Sequence, residues 1–155
     1  MFRTCERFFH GRPSGIDNTV VTYGGAILWH GNQFESINVT NAPRVLVVET
    51  HVERSTKQLV ESVRRRRERQ TDLVDSVFDS IGHIVNRWIG LLRSDNILDA
   101  YVNGRELFEM NQHLLACIGV SHASLDAIVS AASEVKIRPA IVTTHIILIM
   151  EIISS

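Results

Sequence analysis

With 155 residues, 45% of them hydrophobic and 21% charged, the chain has the composition of a soluble globular protein and enough length for one domain with its own core. A formal charge of −1 excludes a global field directed at nucleic acid or an anionic membrane, although the basic residues are lopsided, with fourteen Arg against Lys57 and Lys136. Cys5 and Cys117 exclude a disulfide framework and a cysteine-based metal site, and they suit a reducing cytoplasm. The start, Met1-Phe2-Arg3-Thr4-Cys5-Glu6-Arg7, has no apolar h-region, so no secretory signal is expected.

The first informative stretch is His10-Gly11-Arg12-Pro13-Ser14-Gly15-Ile16-Asp17-Asn18, where one proline and two glycines compress the backbone ahead of Asp17. It reads either as a surface turn with a helix-capping Asp, or as a turn presenting a carboxylate that takes the proton from a substrate hydroxyl. Thr19–Trp29, rich in β-branched and aromatic residues, predicts extended structure with a bulge at Gly24-Gly25. Gly31-Asn32 between Ile27–Trp29 and Phe34–Ile37 predicts a hairpin. After the break at Asn41-Ala42-Pro43, the run Val45-Leu46-Val47-Val48 within Arg44–Glu49 predicts a strand buried on both faces.

The remainder predicts helices. Ser55 or Thr56 can cap one that runs to about Arg69. Its run Arg64-Arg65-Arg66-Arg67 wraps most of the helix. With Glu61 four residues before Arg65, and Glu68 nearby, it reads as a solvated surface rather than a nucleic-acid signal. Leu73, Val74, Val77, Phe78, Ile81, Ile84, Val85, Trp88, Ile89 and Leu92 mark a long amphipathic helix. Leu107, Met110, Leu114, Leu115 and Ile118 mark a third, stopped by Gly119, with Phe108 and Met110 read as core. Leu125, Ile128, Val129 and Ala132 mark a fourth, and His113 and His122 beside these stripes read as capping or packing residues. The apolar run Ile141–Ile153 is shorter than the roughly 20 residues that span a bilayer and contains His145 and Glu151. It predicts a buried β-rich segment, with a membrane anchor or a stretch that does not fold as the alternatives. The fold class is α+β.

Several blocks then recur in a specific order: Glu6-Arg7, the Asp17 turn, Thr22-Tyr23-Gly24-Gly25-Ala26, Glu53-Arg54-Ser55-Thr56-Lys57-Gln58-Leu59-Val60, Met110-Asn111-Gln112-His113 and Gly119-Val120-Ser121-His122-Ala123-Ser124-Leu125-Asp126. Together they resemble the mevalonate-kinase branch of the GHMP small-molecule kinases, over about residues 5–134. The resemblance implies an incomplete amino-terminal domain over residues 1–42, of the ribosomal protein S5 domain 2-like type. It implies a helix-rich, ferredoxin-like carboxyl-terminal domain over 43–135 and a divergent apolar tail over 136–155. The implied activity is ATP- and Mg2+-dependent phosphorylation of the mevalonate 5-hydroxyl, feeding isoprenoid and sterol precursors. Mevalonate and ATP are the implied small-molecule partners of a cytoplasmic homodimer, with no nucleic-acid or membrane partner.

By the same resemblance Asp17 matches the catalytic aspartate, and Glu6, eleven residues earlier, matches the magnesium ligand. Thr56 matches a threonine lining the mevalonate site. The residues alone allow plainer readings: Glu6 paired with Arg3 or Arg7 on a solvated helix, and Thr56 as a helix cap. A cap and a substrate contact are compatible, because a helix amino terminus attracts a carboxylate. Arg54 and Lys57 are further anion candidates, and Asp17 and Thr56 are expected to face one cleft.

Two parts of the family pattern are not found. The Gly/Ser-rich phosphate loop, the catalytic lysine, and a mevalonate-contacting histidine and glutamate are expected upstream of Glu6, so no cofactor-binding residue is assigned. A Thr-Gly-Ala-Gly-Gly-Gly-Gly loop is expected soon after Glu134, yet no glycine follows Gly119. Without those donors a kinase forfeits its main stabilisation of the transferring phosphoryl group, so this polypeptide alone is expected to be inactive or nearly so. The alternatives are a non-catalytic truncated or splice product acting at most as an interaction module, and another GHMP kinase acting on phosphomevalonate or galactose. Arg54-Ser55-Thr56-Lys57 and Met110-Asn111-Gln112 favour the mevalonate branch over the latter.

Overall fold

Gly15 takes a φ of +80°, in the left-handed region open to glycine, and the chain turns there into helix α1, Ile16–Tyr23. The computed structural model describes residues 15–30, 33–40, 45–46, 48, 52, 55–134 and 141–142, without the side chains of residues 17, 45–46, 97–101, 133–134 and 141–142. Helix α1 corrects the extended structure expected over Thr19–Tyr23, whereas Ala26–Trp29 is extended as expected. Thr19 Oγ1 donates to the Gly15 carbonyl at 2.8 Å and Thr22 Oγ1 to the Asn18 carbonyl at 2.6 Å, so both hydroxyls bond back into the helix. Ile16, Thr19 and Val20, at helical spacing, form its covered side.

Strands β1, Ala26–His30, and β2, Gln33–Ile37, form the expected antiparallel hairpin, with Ala26 opposite Ile37 and His30 opposite Gln33. Trp29 is its buried residue. Tyr23 of α1 leans on Phe34, their ring centroids 4.7 Å apart. Strand β3, Val45–Leu46, falls within the Arg44–Glu49 expected; half-buried Val48 lies outside it, and Arg44, Val47 and Glu49 lie outside the described residues. It pairs in parallel with β4, Ile141–Val142, so the start of the apolar run is β as expected; residues 143–153 lie outside the described residues.

Helix α2, Thr56–Arg69, is capped by Ser55, whose Oγ accepts from the Gln58 N–H at 3.4 Å. Gln70, at φ −142° and ψ 59°, leaves the helical region for one residue before α3 begins, Thr71–Arg93. A short connection leads to α4, Ile97–Cys117, and another to α5, Ala123–Glu134. The carboxyl end of α3 holds the hairpin: Arg93 donates to Glu35 Oε1 at 2.9 Å and the Thr40 N–H to the Leu92 carbonyl at 3.1 Å.

The core is built where α2, α3 and the end of α4 meet: Val63, Val74, Ile81, Leu115, Ile118 and Val120, with Val77, Phe78 and Leu114 packed against them. Gly119 ends α4 in a Schellman turn. The Val120 N–H donates to the Leu115 carbonyl at 3.1 Å and the Gly119 N–H to the Ala116 carbonyl at 3.0 Å. Phe108 packs edge-on against Trp88 at 4.9 Å, but Met110 is 50% exposed, which corrects its reading as core.

Trp88 also fixes how closely α3 and α4 approach. A Cβ added to Gly104 would stand 2.5 Å from the Trp88 ring, and Phe108 limits the ring's retreat. Gly104→Ala gains helix propensity of about 1 kcal/mol but overpacks this contact by about 1–3 kcal/mol. A net loss is expected in urea unfolding, and recovery in the double variant Gly104→Ala/Trp88→Leu; a more stable single variant would contradict the packing described.

Candidate functional site

Asp17 occupies the second position of α1, one residue beyond Ile16 and two beyond the left-handed Gly15. Gly15 holds the cap position, so Asp17 is not the capping residue that the plainer reading supposed. A carboxylate in a first helical turn is favoured by the exposed N–H groups and the helix dipole. Next to it, Asn18 Nδ2 is buried without a hydrogen-bond partner among the described residues. The Asp17 side chain, Glu6 and Glu53-Arg54 lie outside the described residues.

Thr56 is the first residue of α2 and is exposed. Ser55 supplies the cap, which leaves the Thr56 hydroxyl out of that role. Beside it an open groove of about 660 Å³ runs along one side of α2, lined by Ser55, Lys57, Gln58, Glu61, Ser62, Arg65 and Arg69. Three cations and one carboxylate give this surface a positive bias. The cleft expected to join Thr56 and Asp17 falls on the Asp17 side chain, which lies outside the described residues. Among them, no three His, Cys, Asp or Glu side chains gather as a metal site, and Glu6, matched to the magnesium ligand, lies outside the described residues.

The arginine run is largely paired. Arg64 and Arg65 both donate to Glu61, at 3.1 and 3.0 Å, and these bonds hold the Glu61 carboxyl below the usual range. The same bond raises Arg64 further. Arg67 grips Asp75 of α3 with two bonds, the longer at 3.2 Å, and is raised by them. Arg66 turns the other way: its Nε is buried without a hydrogen-bond partner among the described residues, and its guanidinium lies against Gly119.

No family model matches the chain. Curated relatives do. The mevalonate kinase of Arabidopsis thaliana is 35% identical over 135 residues, covering 85% of this chain and 36% of that protein. The mevalonate kinase of Homo sapiens is 39% identical over 124 residues, covering 78% and 31%. The mevalonate kinase of Pyrococcus abyssi is 33% identical over 133 residues, covering 85% and 39%. The chain belongs to the mevalonate kinase family. It spans about a third of the length of these relatives.

Two blocks that carried the resemblance meet in the fold as a hydrogen-bonded set that spacing alone did not reveal. Gln112 Nε2 of α4 donates to Ser121 Oγ at 2.8 Å and to Asp126 Oδ1 of α5 at 3.2 Å, and Ser121 Oγ donates to the same carboxylate. His122 Nδ1 accepts from the Leu125 N–H at 3.2 Å, so its expected capping role is correct. His113 is exposed on α4. The only sequence signal for the set was the recurrence of polar residues within the two blocks. Among the described residues no helix is long and apolar enough to cross a membrane.

The Glu61 pairing carries a pH prediction. Its carboxyl is lowered in the folded chain, so the stability it contributes is present above the unfolded-state value and is lost as pH falls through the folded one. An NMR titration should find Glu61 protonating below ordinary glutamates, with the displacement shrinking at high salt because the pair is exposed. An ordinary Glu61 titration at low salt would contradict the bonds to Arg64 and Arg65.

Proposed function

We propose that this chain is the central portion of a mevalonate kinase, which transfers the γ-phosphoryl group of ATP to the mevalonate 5-hydroxyl. The observation that carries the reading is the ordered match, at 31–39% identity over about four-fifths of the chain, to relatives named mevalonate kinase. In this reading Asp17, set in the first turn of α1, accepts a hydrogen bond from the hydroxyl and takes its proton as the oxygen attacks. Thr56 and the amino terminus of α2 hold the substrate carboxylate. Glu6 is the magnesium ligand, and the ion neutralises charge on the phosphate oxygens when bound. Residues 1–42 belong to the amino-terminal domain and 43–135 to a ferredoxin-like carboxyl-terminal domain. The whole enzyme is a cytoplasmic homodimer serving isoprenoid and sterol precursor synthesis.

A second reading, that the 155-residue chain on its own is not catalytic, is favoured by its coverage of about a third of its relatives and by the lack of any glycine after Gly119. Calorimetry should then detect weak or no binding of Mg-ATP to this chain; tight binding would overturn that second reading.

The catalytic assignment is tested in a chimaera with residues 5–134 in place of the matching segment of the Arabidopsis thaliana relative. Asp17→Asn should cut ATP-dependent phosphorylation of mevalonate at least about a hundredfold, with the melting temperature nearly unchanged. Glu6→Gln should instead raise the Mg2+ concentration needed for half-maximal rate, because a neutral oxygen is a poorer ligand for a hard cation. Full activity of Asp17→Asn would remove Asp17 from the chemistry.

A further inference from the structure

Strands β3 and β4 stand at the two ends of the helical part, with α2 to α5 between them. Yet Val45 lies beside Ile141 and Leu46 beside Val142 in a parallel pair. A parallel pair needs a crossover of this kind, since a tight turn would reverse the chain. Helix α5 precedes β4 and packs on it, so the pair is covered on that side. The core residues Val63, Val74, Ile81, Leu115, Ile118 and Val120 come from α2, α3 and the end of α4, which gives those helices a meeting point of their own. Strand β4 opens the run Ile141–Ile153, nine of whose thirteen residues are apolar. Its stretch Ile146–Met150 combines high β propensity with no charge, the pattern of a self-associating strand. Composition alone makes this run a source of aggregation. The pairing with β3 gives it a different part.

We propose that the apolar run serves as an edge cap: β4 occupies an edge of β3 that would otherwise pair with a second copy of this chain. An unpaired strand presents a row of backbone N–H and C=O groups to any other strand, and native proteins cover such edges or twist them away. Strand β4 satisfies that row on β3 from within the chain. It also shields the side of α5 that packs on it. Losing β4 exposes two surfaces together, a backbone edge and a helix side, and a second copy offers the same two in return. The sign of the effect separates the cap from a merely sticky tail. Taking the run away makes the chain more prone to associate, although it makes the sequence less hydrophobic. None of this depends on which reaction the protein performs.

Sedimentation velocity on the full chain and on a variant lacking residues 136–155 tests this. The shortened chain should associate at a concentration at least about tenfold lower than the full chain does. A second variant, Ile141→Pro/Val142→Pro in the full-length chain, removes both backbone N–H groups of β4 and keeps the rest of the run. It should associate in the same way, with the helix content by circular dichroism unchanged in both variants. A peptide spanning Arg138–His145, added in excess, should refill the edge and reverse the association of the shortened chain. Association that falls or stays the same on deletion would overturn the proposal, because the run would then be the associating surface or have no part in it. A peptide without effect would overturn it as well, since the association would then stem from unfolding. So would flotation of the full chain with phosphatidylcholine vesicles, which would mean that the run enters a bilayer instead of pairing with β3.

Discussion

The left-handed turn at Gly119 is the constraint on which the helical part depends. Its φ of +83° lets α4 end in two backbone bonds that satisfy otherwise orphaned carbonyls, and it turns the chain so that Ile118 and Val120 both enter the core. The same residue leaves space for Arg66: a Cβ at position 119 would stand 2.9 Å from its guanidinium. Arg66 thus sits at the carboxyl end of α4, where a cation is favoured by the helix dipole. One glycine sets the reversal of the chain, the seating of two core residues and the approach of α2.

That geometry gives the arginine run an economical explanation. Arg64 and Arg65 point outward to Glu61, Arg67 reaches across to Asp75 on α3, and Arg66 faces inward to the end of α4. Four consecutive residues on a helix lie about 100° apart around its axis, so each meets a different environment. A basic stripe for a polyanion would require cations on one side. The pairing instead spreads them around the helix, consistent with a solvated, locally neutralised surface.

Much of the helical architecture was legible because caps and periodicity agreed. Ser55 starts α2, Gly119 stops α4, and the 3–4 spacing from Leu73 to Leu92 marks α3. What was misread follows from reading hydrophobicity alone. On α4 the buried side runs through Gly104, Asn111, Leu115 and Ile118, with Asn111 only 9% exposed. Met110 stands about 100° from Asn111 and so falls off that side; a small and a polar residue at the centre of the stripe hid its true position. On α1 the β-branched residues suggested a strand, whereas two Thr hydroxyls bonding back to carbonyls four residues earlier make the helix self-sufficient. For the candidate site, the sequence blocks indicated family membership, but the Gln112–Ser121–Asp126 set needed the turn at Gly119 to bring its members together.

The placement of Asp17 and Thr56 has a common logic under the proposed reading. Each stands in the first turn of a helix, after a non-helical cap residue, left-handed Gly15 in one case and the extended Ser55 in the other. First-turn N–H groups are directed at whatever lies beyond the helix end, and they favour negative charge there. A phosphoryl transfer to a carboxylate-bearing alcohol gathers negative charge on the phosphate, the substrate tail and the base. Two helix starts oriented toward that charge would offset part of their mutual repulsion with backbone groups already fixed by the helices, at little further cost in side-chain entropy. Under that reading the anion-binding role would fall to backbone groups that the helix leaves unbonded, while Arg67 and Arg66 tie α2 to α3 and to the end of α4.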